Sequence, residues 1–212
     1  MQVNTSSGTY QFRTLPDECP FCHNSISPNV ISGFKGKSQL EVFMSCPKGT
    51  CRQTFIGYYN YIGGNWLYDN RTTIGNLLIK EFNESIVEVS PSFVQIYNEA
   101  YSAEQHNLKE ICGVGYRKAL EFLIKDYAIL KNETEKEKIL KMRLAGCIKE
   151  YVSDERIKTV VKRAVWLGND ETHYVKKWET KNLQDLKKLI ELTVHWIEME
   201  KLTESFETEM PE

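Results

Sequence analysis

Cys19-Pro-Phe-Cys22 is the stretch that decides how the amino-terminal third folds, because its spacing is that of a metal-binding knuckle. Working outward, a second pair follows in Cys46-Pro-Lys-Gly-Thr-Cys51, and 23 residues separate Cys22 from Cys46. Two such pairs supply four thiolates to one tetrahedral ion. We therefore predict a zinc site at Cys19, Cys22, Cys46 and Cys51, structural rather than catalytic because four thiolates leave no open coordination position.

Local features around the pairs support knuckles but leave alternatives open. A proline follows the first cysteine of each pair, and Gly49 is expected to take the positive φ of the wider second turn. His23 is an alternative ligand, and a set of buried free thiols is an alternative to any metal site. A redox-active Cys-x-x-Cys is disfavoured because no βαβ pattern surrounds it.

The segments beside the second knuckle are typical of strands. Leu40 to Ser45 alternates in character, and Gln53 to Tyr61 is aromatic and β-branched. Together with the knuckles they predict a zinc-ribbon domain with a β-hairpin over residues 1–70. Its many aromatic residues suggest either a platform for stacking nucleic-acid bases or internal packing, and the few lysines and arginines nearby favour packing.

Beyond residue 70 the hydrophobic period changes from two to 3.6. We predict a linker or short strand over 71–90, a bundle of four to five helices over 91–203, and a fraying acidic tail over 204–212. Helix starts are expected at Ser90-Pro91, Asn107, Thr134, Ser153 or Asp154, and Asn182, each a capping residue type followed by an apolar stripe. Cys112 and Cys147 fall on such stripes and are expected to be buried thiols. The predicted fold class is thus α+β, mainly α.

Composition limits the class of protein. The 212 residues include 41% hydrophobic residues and carry a formal net charge of −2, so no global field attracts nucleic acid or anionic lipid. No apolar run approaches the about 18 residues of a membrane span, and the amino terminus lacks a secretory pattern. We therefore expect a cytoplasmic protein with no membrane partner. The chain contains no phosphate-binding glycine loop, Gly-x-Ser-x-Gly or His-Glu-x-x-His, so kinase, hydrolase and metalloprotease classes have no support.

Basic residues concentrate between Lys136 and Arg163, where nine lysines and arginines face four acidic residues. This pattern is typical of either a phosphate-binding face or a solvated helix surface. As candidate nucleic-acid contacts we select Lys158, Lys162, Arg163 and Asn169.

Two further stretches resemble a known family. Arg117, Ala119, Leu120 and Glu121 resemble an R-x-A-L-E helix signature, and Gly168-Asn169 is followed four positions later by His173. Together they resemble the prokaryotic domain-of-unknown-function family 4145. This resemblance implies a HEPN-like helical bundle with an amino-terminal zinc ribbon, a role around nucleic acid in defence against phage or mobile DNA, and pairing of two bundles in a homodimer.

Active HEPN ribonucleases carry an arginine separated by four to six residues from a histidine. Counting back from His173, that window holds Trp166, Leu167 and Gly168, and the nearest arginine is Arg163. The resemblance therefore does not supply an intact catalytic motif. A structural alternative makes Trp166 and Leu167 the end of a buried helical face and Gly168 a positive-φ cap, with His173 tying the turn.

Three functional hypotheses follow. The first is a zinc-binding, HEPN-like module that associates with RNA, DNA or a protein partner without confirmed catalysis. The second is a metal-independent endoribonuclease that uses His173 with Arg163. The third is a protein-interaction scaffold without nucleic-acid contact.

Overall fold

The computed structural model describes residues 1–171, 174–175 and 177–210, and it divides into two compact units. We call Met1–Leu77 the sheet unit and Leu78–Glu212 the helical unit. The protein is therefore α+β, with strands and helices segregated along the chain. Among the described residues, no helix combines the length and apolar character that crossing a membrane requires.

The sheet unit contains one six-stranded sheet with the strand order β1-β2-β6-β5-β4-β3. Its pairs are antiparallel except for β2 and β6, which run parallel through Phe12 opposite Trp66. The strands are β1 Gln2–Thr5, β2 Gly8–Arg13, β3 Asn29–Lys35, β4 Gln39–Ser45, β5 Thr54–Ile62 and β6 Asn65–Thr72. The predicted hairpin strands are β4 and β5, and the other four strands extend it to a full sheet.

Alternation along β4 sets the inner face of this sheet. Leu40, Val42 and Met44 are fully buried, whereas Phe43 between them is exposed. Phe55 and Tyr59 of β5 join the same core, and the Tyr59 hydroxyl donates to the Thr14 carbonyl at 3.1 Å. The aromatic residues of β5 thus serve internal packing in part, as the shortage of neighbouring cations suggested.

The helical unit contains seven α-helices among the described residues, more than the four to five predicted. They are α1 Glu84–Val89, α2 Pro91–Gln105, α3 Lys109–Lys131, α4 Lys136–Lys141, α5 Leu144–Tyr151, α6 Glu155–Asp170 and α7 Leu183–Glu209, with a 3-10 turn at Glu133–Glu135. The extra helices arise at two places. Residues 84–89 form α1 within the range 71–90, where a linker or short strand was expected. The predicted helix after Thr134 breaks where Met142 and Arg143 are extended.

Helix starts were predicted with mixed success. The Ser90, Asp154 and Asn182 side chains each accept hydrogen bonds from backbone N–H groups of their helices, and Asn182 forms a full capping box with Asp185. The expected boxes at Asn107 and Thr134 are wrong. Asn107 takes a φ of 59°, so α3 begins after Leu108, and Thr134 lies in the 3-10 turn.

The core of the helical unit is aromatic at its centre. The Tyr97 ring lies edge-on to Phe82 and to Tyr116, with ring centroids 5.1 and 4.8 Å apart, respectively. Cys112 and Cys147 are fully buried, which confirms their prediction as core thiols. At its carboxyl end, α7 continues to Glu209 through most of the predicted acidic tail, and Glu204 pairs with Lys131 of α3.

Candidate functional site

The first knuckle is a tight turn closed by backbone hydrogen bonds. The Cys19 N–H donates to the Asn24 carbonyl at 3.0 Å, and the His23 N–H donates to the Cys19 carbonyl at 2.9 Å. His23, which directly follows Cys22, takes a φ of 53°. This left-handed residue turns the chain back, so that both thiols of the pair point to the same side.

The second knuckle repeats this design with a wider turn. The Cys51 and Arg52 N–H groups both donate to the Lys48 carbonyl at 3.0 Å, and the Cys46 N–H donates to the Gln53 carbonyl at 2.9 Å. The positive φ belongs to Arg52, at 51°, and not to Gly49 as expected. In both knuckles the residue after the second cysteine makes the reversal, although neither is a glycine.

The two knuckles bring all four predicted cysteines into one group, which we call the thiol cluster. Its four sulfur atoms lie within 4.8 Å of one another. The Sγ atoms of Cys19 and Cys51 are 3.8 Å apart, as are those of Cys22 and Cys46. A tetrahedron of sulfurs about 2.3 Å from a zinc ion has edges of about 3.8 Å, whereas a disulfide needs about 2.05 Å. The four thiols are free, and the cluster has the size that a metal ion spans.

The surroundings of the thiol cluster shift the pKa values of its thiols in opposite directions. A hydrogen bond from the Asn24 side chain lowers the pKa of Cys22 to about 6, which favours the thiolate. Burial raises the pKa of Cys46 to about 12. A buried thiol of this kind ionises when a cation lies beside it, so the chemistry of the donor set fits a divalent metal.

His23, the alternative ligand, points elsewhere. Its Nδ1 lies 3.3 Å from a Glu18 carboxylate oxygen and its Nε2 lies 2.8 Å from the Asn76 carbonyl oxygen. Gly75 packs beside this contact, since a Cβ at that position would lie 1.9 Å from the Pro20 carbonyl oxygen. The chain after β6 therefore folds over the first knuckle and holds it in place.

In the helical unit, the two stretches that resemble the family meet in one contact. The Arg117 side chain crosses α6 at Gly168, where a Cβ would lie 2.7 Å from the arginine Cδ. Arg117 Nε donates to Asn169 Oδ1 at 3.1 Å, and its Nη1 pairs with Glu121 at 2.9 Å. We call Arg117, Gly168 and Asn169 the signature contact. Gly168 is thus an interior helix residue that permits close packing, not the positive-φ cap that the sequence suggested.

Asp170, the last residue of α6, organises the chain that follows. Its carboxylate is buried and accepts from the Lys177 N–H at 3.0 Å and from the Trp178 N–H at 2.7 Å. His173, the candidate catalytic residue, lies outside the described residues.

Of the other candidate residues on α6, two are bonded to other side chains and two form no ion pair. Asn169 belongs to the signature contact, and Lys158 Nζ lies 2.5 Å from the Glu155 carboxylate. Arg163 is exposed and donates to the Thr159 carbonyl of its own helix at 3.0 Å. Within the described part of the chain, neither Lys162 nor Arg163 forms an ion pair with an acidic side chain.

Sequence reasoning missed an aromatic pair at the end of α6. Trp166 was expected to end a buried face, but it is 48% exposed and lies parallel to Trp178, with ring centroids 6.1 Å apart. We call Trp166 and Trp178 the indole pair. The signal in the sequence is that two tryptophans flank the Gly-Asn and histidine stretch, one on each side.

Fold and site together define a two-unit α+β protein that has a four-thiol cluster in its sheet unit and an all-helical second unit. Residues 98–207 match the family model described as Domain of unknown function (DUF4145), which is just over half of the 212-residue chain and includes the whole signature contact. The chain therefore belongs to this family. Searches of curated proteins and of solved structures each found no match.

Proposed function

We propose that this chain is a zinc-binding, HEPN-like module that associates with nucleic acid through its helical unit and does not cleave it. The observation that carries the proposal is that some residues of α6 serve packing within the helical unit, whereas two basic residues of the same helix do not. Arg117 and Asn169 engage each other across Gly168, so these signature residues build the scaffold. Lys162 and Arg163, on the same helix, form no ion pair with an acidic side chain in the described part of the chain and can therefore bind phosphate.

Charge supports assigning this role to a local surface. The helical unit holds 21 lysines and arginines against 25 acidic residues, once the six basic and four acidic residues of the sheet unit are set aside. A negative unit does not attract nucleic acid as a whole. The excess of basic residues over 136–163 provides the exception, and Lys162 and Arg163 stand at its end.

The zinc part of the proposal rests on the sulfur separations of the thiol cluster. Four thiolates fill the coordination sphere, so the metal is structural and does no chemistry. Elemental analysis of the purified chain should give about one zinc per chain. Cys46→Ser should lower this value sharply, whereas Cys147→Ser, which alters a buried thiol of the helical unit, should leave it unchanged.

Nucleic-acid association is tested by the dependence of affinity on salt. Each phosphate contact with a single strand contributes a slope of about −0.7 to log K against log salt. Replacing both Lys162 and Arg163 by alanine should therefore make the slope shallower by about 1.4. The matched control replaces Lys37 and Lys48 of the sheet unit, which are exposed, and should not change the slope.

A single-stranded RNA used in the binding measurement, recovered after incubation without added divalent metal, tests the absence of cleavage. We expect intact RNA with the wild-type chain and with His173→Ala. Cleavage that disappears in His173→Ala would replace this proposal by the endoribonuclease hypothesis. Absence of any binding would leave the protein-interaction scaffold, and sedimentation of the same samples tests the expected homodimer.

A further inference from the structure

The indole pair exposes aromatic surface on two neighbouring side chains. Trp166 is 48% exposed and Trp178 is 39% exposed, and their planes are only 9° from parallel. Burial of a large aromatic side chain contributes a few kcal/mol to folding, so two tryptophans left open side by side need an explanation. An offset-parallel pair of flat rings is the geometry onto which another flat ring stacks.

The position of Trp178 is fixed by α6 itself. Asp170 accepts hydrogen bonds from the Lys177 and Trp178 N–H groups, and its side chain is buried. Both N–H groups donate to Asp170 Oδ2, and these charge-assisted bonds anchor the segment that carries Trp178 to the helix that carries Trp166. The indole pair is thereby preorganised, which lowers the entropic cost of binding a ligand there.

A cleft of about 540 Å³ opens beside the pair. Its walls are Trp166, Asn169, Asp170, Val175, Lys177 and Trp178. This volume lies within the range of about 300–1,000 Å³ that small organic ligands occupy, and a nucleobase with its ribose fits inside it. The carboxylate of Asp170 already accepts from two N–H groups, which reduces its repulsion of an anionic ligand.

Positive charges flank the rings. Lys162 and Arg163 precede Trp166 by four and three positions on α6, so the three side chains are neighbours on the helix surface. Lys177 Nζ lies 5.8 Å from the centre of the Trp178 ring. A flat aromatic surface bordered by cations matches the two parts of a nucleotide, a base that stacks and a phosphate that pairs.

We propose that the indole pair is a stacking site for an unpaired base of single-stranded nucleic acid, with Lys162, Arg163 and Lys177 holding the adjoining phosphates. This inference rests on the proposed function, since it names the class of nucleic acid and the residues that select it. Bases in a duplex are already stacked on one another and do not reach exposed indoles, so the site discriminates in favour of single strands.

The experiment compares the affinity of the full-length chain for a short single-stranded oligonucleotide and for the duplex of the same sequence. RNA and DNA versions are measured in parallel. Trp178→Ala should weaken single-strand binding about 10- to 100-fold, the scale of one lost base–aromatic stack, and leave duplex binding unchanged. Trp178→Phe should retain most of the single-strand affinity, because phenylalanine still offers a ring.

Phe206→Ala is the matched control, since Phe206 is an aromatic residue of α7 that is 55% exposed and lies away from the cleft. It should change neither affinity. If Trp178→Ala lowers single-strand and duplex binding equally, or if Trp178→Phe is as weak as Trp178→Ala, the tryptophan supports the loop and the stacking site is wrong. If single-strand affinity depends on Lys162 and Arg163 but not on either tryptophan, the stacking site fails while the proposed function stands. If no nucleic acid binds, both fail.

Discussion

The sheet unit and the helical unit differ in the size and composition of their internal cores. Among the described residues, ten buried residues form the core of the sheet unit, two of them cysteines of the thiol cluster, and 26 form the core of the helical unit. Domains below about 80 residues seldom gain enough from apolar burial alone and need a staple. The metal that we propose for the thiol cluster would supply this staple to the first unit, whereas the larger apolar core is expected to suffice for the second.

Chelation of the proposed metal is the most severe test of this difference. A strong chelator should unfold the sheet unit, because structural zinc contributes about 10 kcal/mol or more to small domains. Limited proteolysis should then digest residues 1–77 first, while the helical signal in circular dichroism changes little. A chelated chain that keeps its sheet unit protected from protease would show that packing alone holds both units.

A single methyl group should sharpen the same comparison. In Gly75→Ala the new Cβ meets the Pro20 carbonyl oxygen at 1.9 Å, so the first knuckle must move. We expect a loss of about 2–3 kcal/mol of stability in the sheet unit, and weaker metal retention in competition with a chromogenic chelator. Gly49→Ala is the control, because no atom lies within 4 Å of its added Cβ and its φ is not positive.

In the helical unit the corresponding test falls on the signature contact. Gly168→Ala places a Cβ 2.8 Å from the Cβ of Arg117, which lies too close to the backbone to swing away. Thermal unfolding should show a loss of about 1–3 kcal/mol in this unit, with metal content unchanged. Gly146→Ala in α5 meets only the flexible Met142 side chain, and equal effects of the two variants would contradict the close packing at Gly168.

The smallest predicted effect concerns a polar contact inside the helical unit. Burial raises the pKa of Glu104, but hydrogen bonds from Lys187, Tyr116 and Gln184 outweigh it, so the pKa lies below its ordinary value of 4.5. A carboxylate with a lowered folded pKa contributes stability that is complete above the ordinary value and disappears as the pH falls through the folded one.

Glu104→Gln should therefore cost about 1.5 kcal/mol at pH 7 and less at pH 3, because the stabilising contribution of the ionised carboxylate declines as the pH falls below 4.5. Urea unfolding at the two pH values measures the difference. Glu137→Gln is the control, since Glu137 is 82% exposed and its nearest oxygen is as far as 3.9 Å from Lys141 Nζ, which makes the ion pair weak. A Glu104→Gln deficit that persists in acid would assign the loss to packing rather than to the ionised carboxylate.

Local features of the fold were predictable from sequence, and features that join distant segments were not. The knuckle spacing places each pair of thiols, and the caps at Ser90, Asp154 and Asn182 involve only the next few residues. The parallel pairing of Phe12 with Trp66 joins strands far apart in the chain, and no local pattern encodes it. Asn107 failed as a cap because asparagine also tolerates the left-handed region, which it adopts here.

The candidate site shows the same limit. Cysteine spacing predicted the thiol cluster because four ligands around one ion leave little freedom of arrangement. Gly168 was misread because a glycine near the end of an apolar stripe usually caps a helix, and only the tertiary structure brings Arg117 across it. Trp166 was expected to be buried because tryptophan usually is, yet it shares the exposed side of α6 with Arg163.

The passage of Arg117 over Gly168 also constrains how this family can diverge. A Cβ at position 168 would lie within 3.0 Å of Arg117 side-chain atoms, so we expect a larger residue at 168 to require a smaller one at 117. The two positions should therefore change together across relatives, and a double replacement that exchanges their sizes should fold better than either single replacement. We therefore expect the residue that evolution can accept at one site to depend on a partner 51 residues away along the chain.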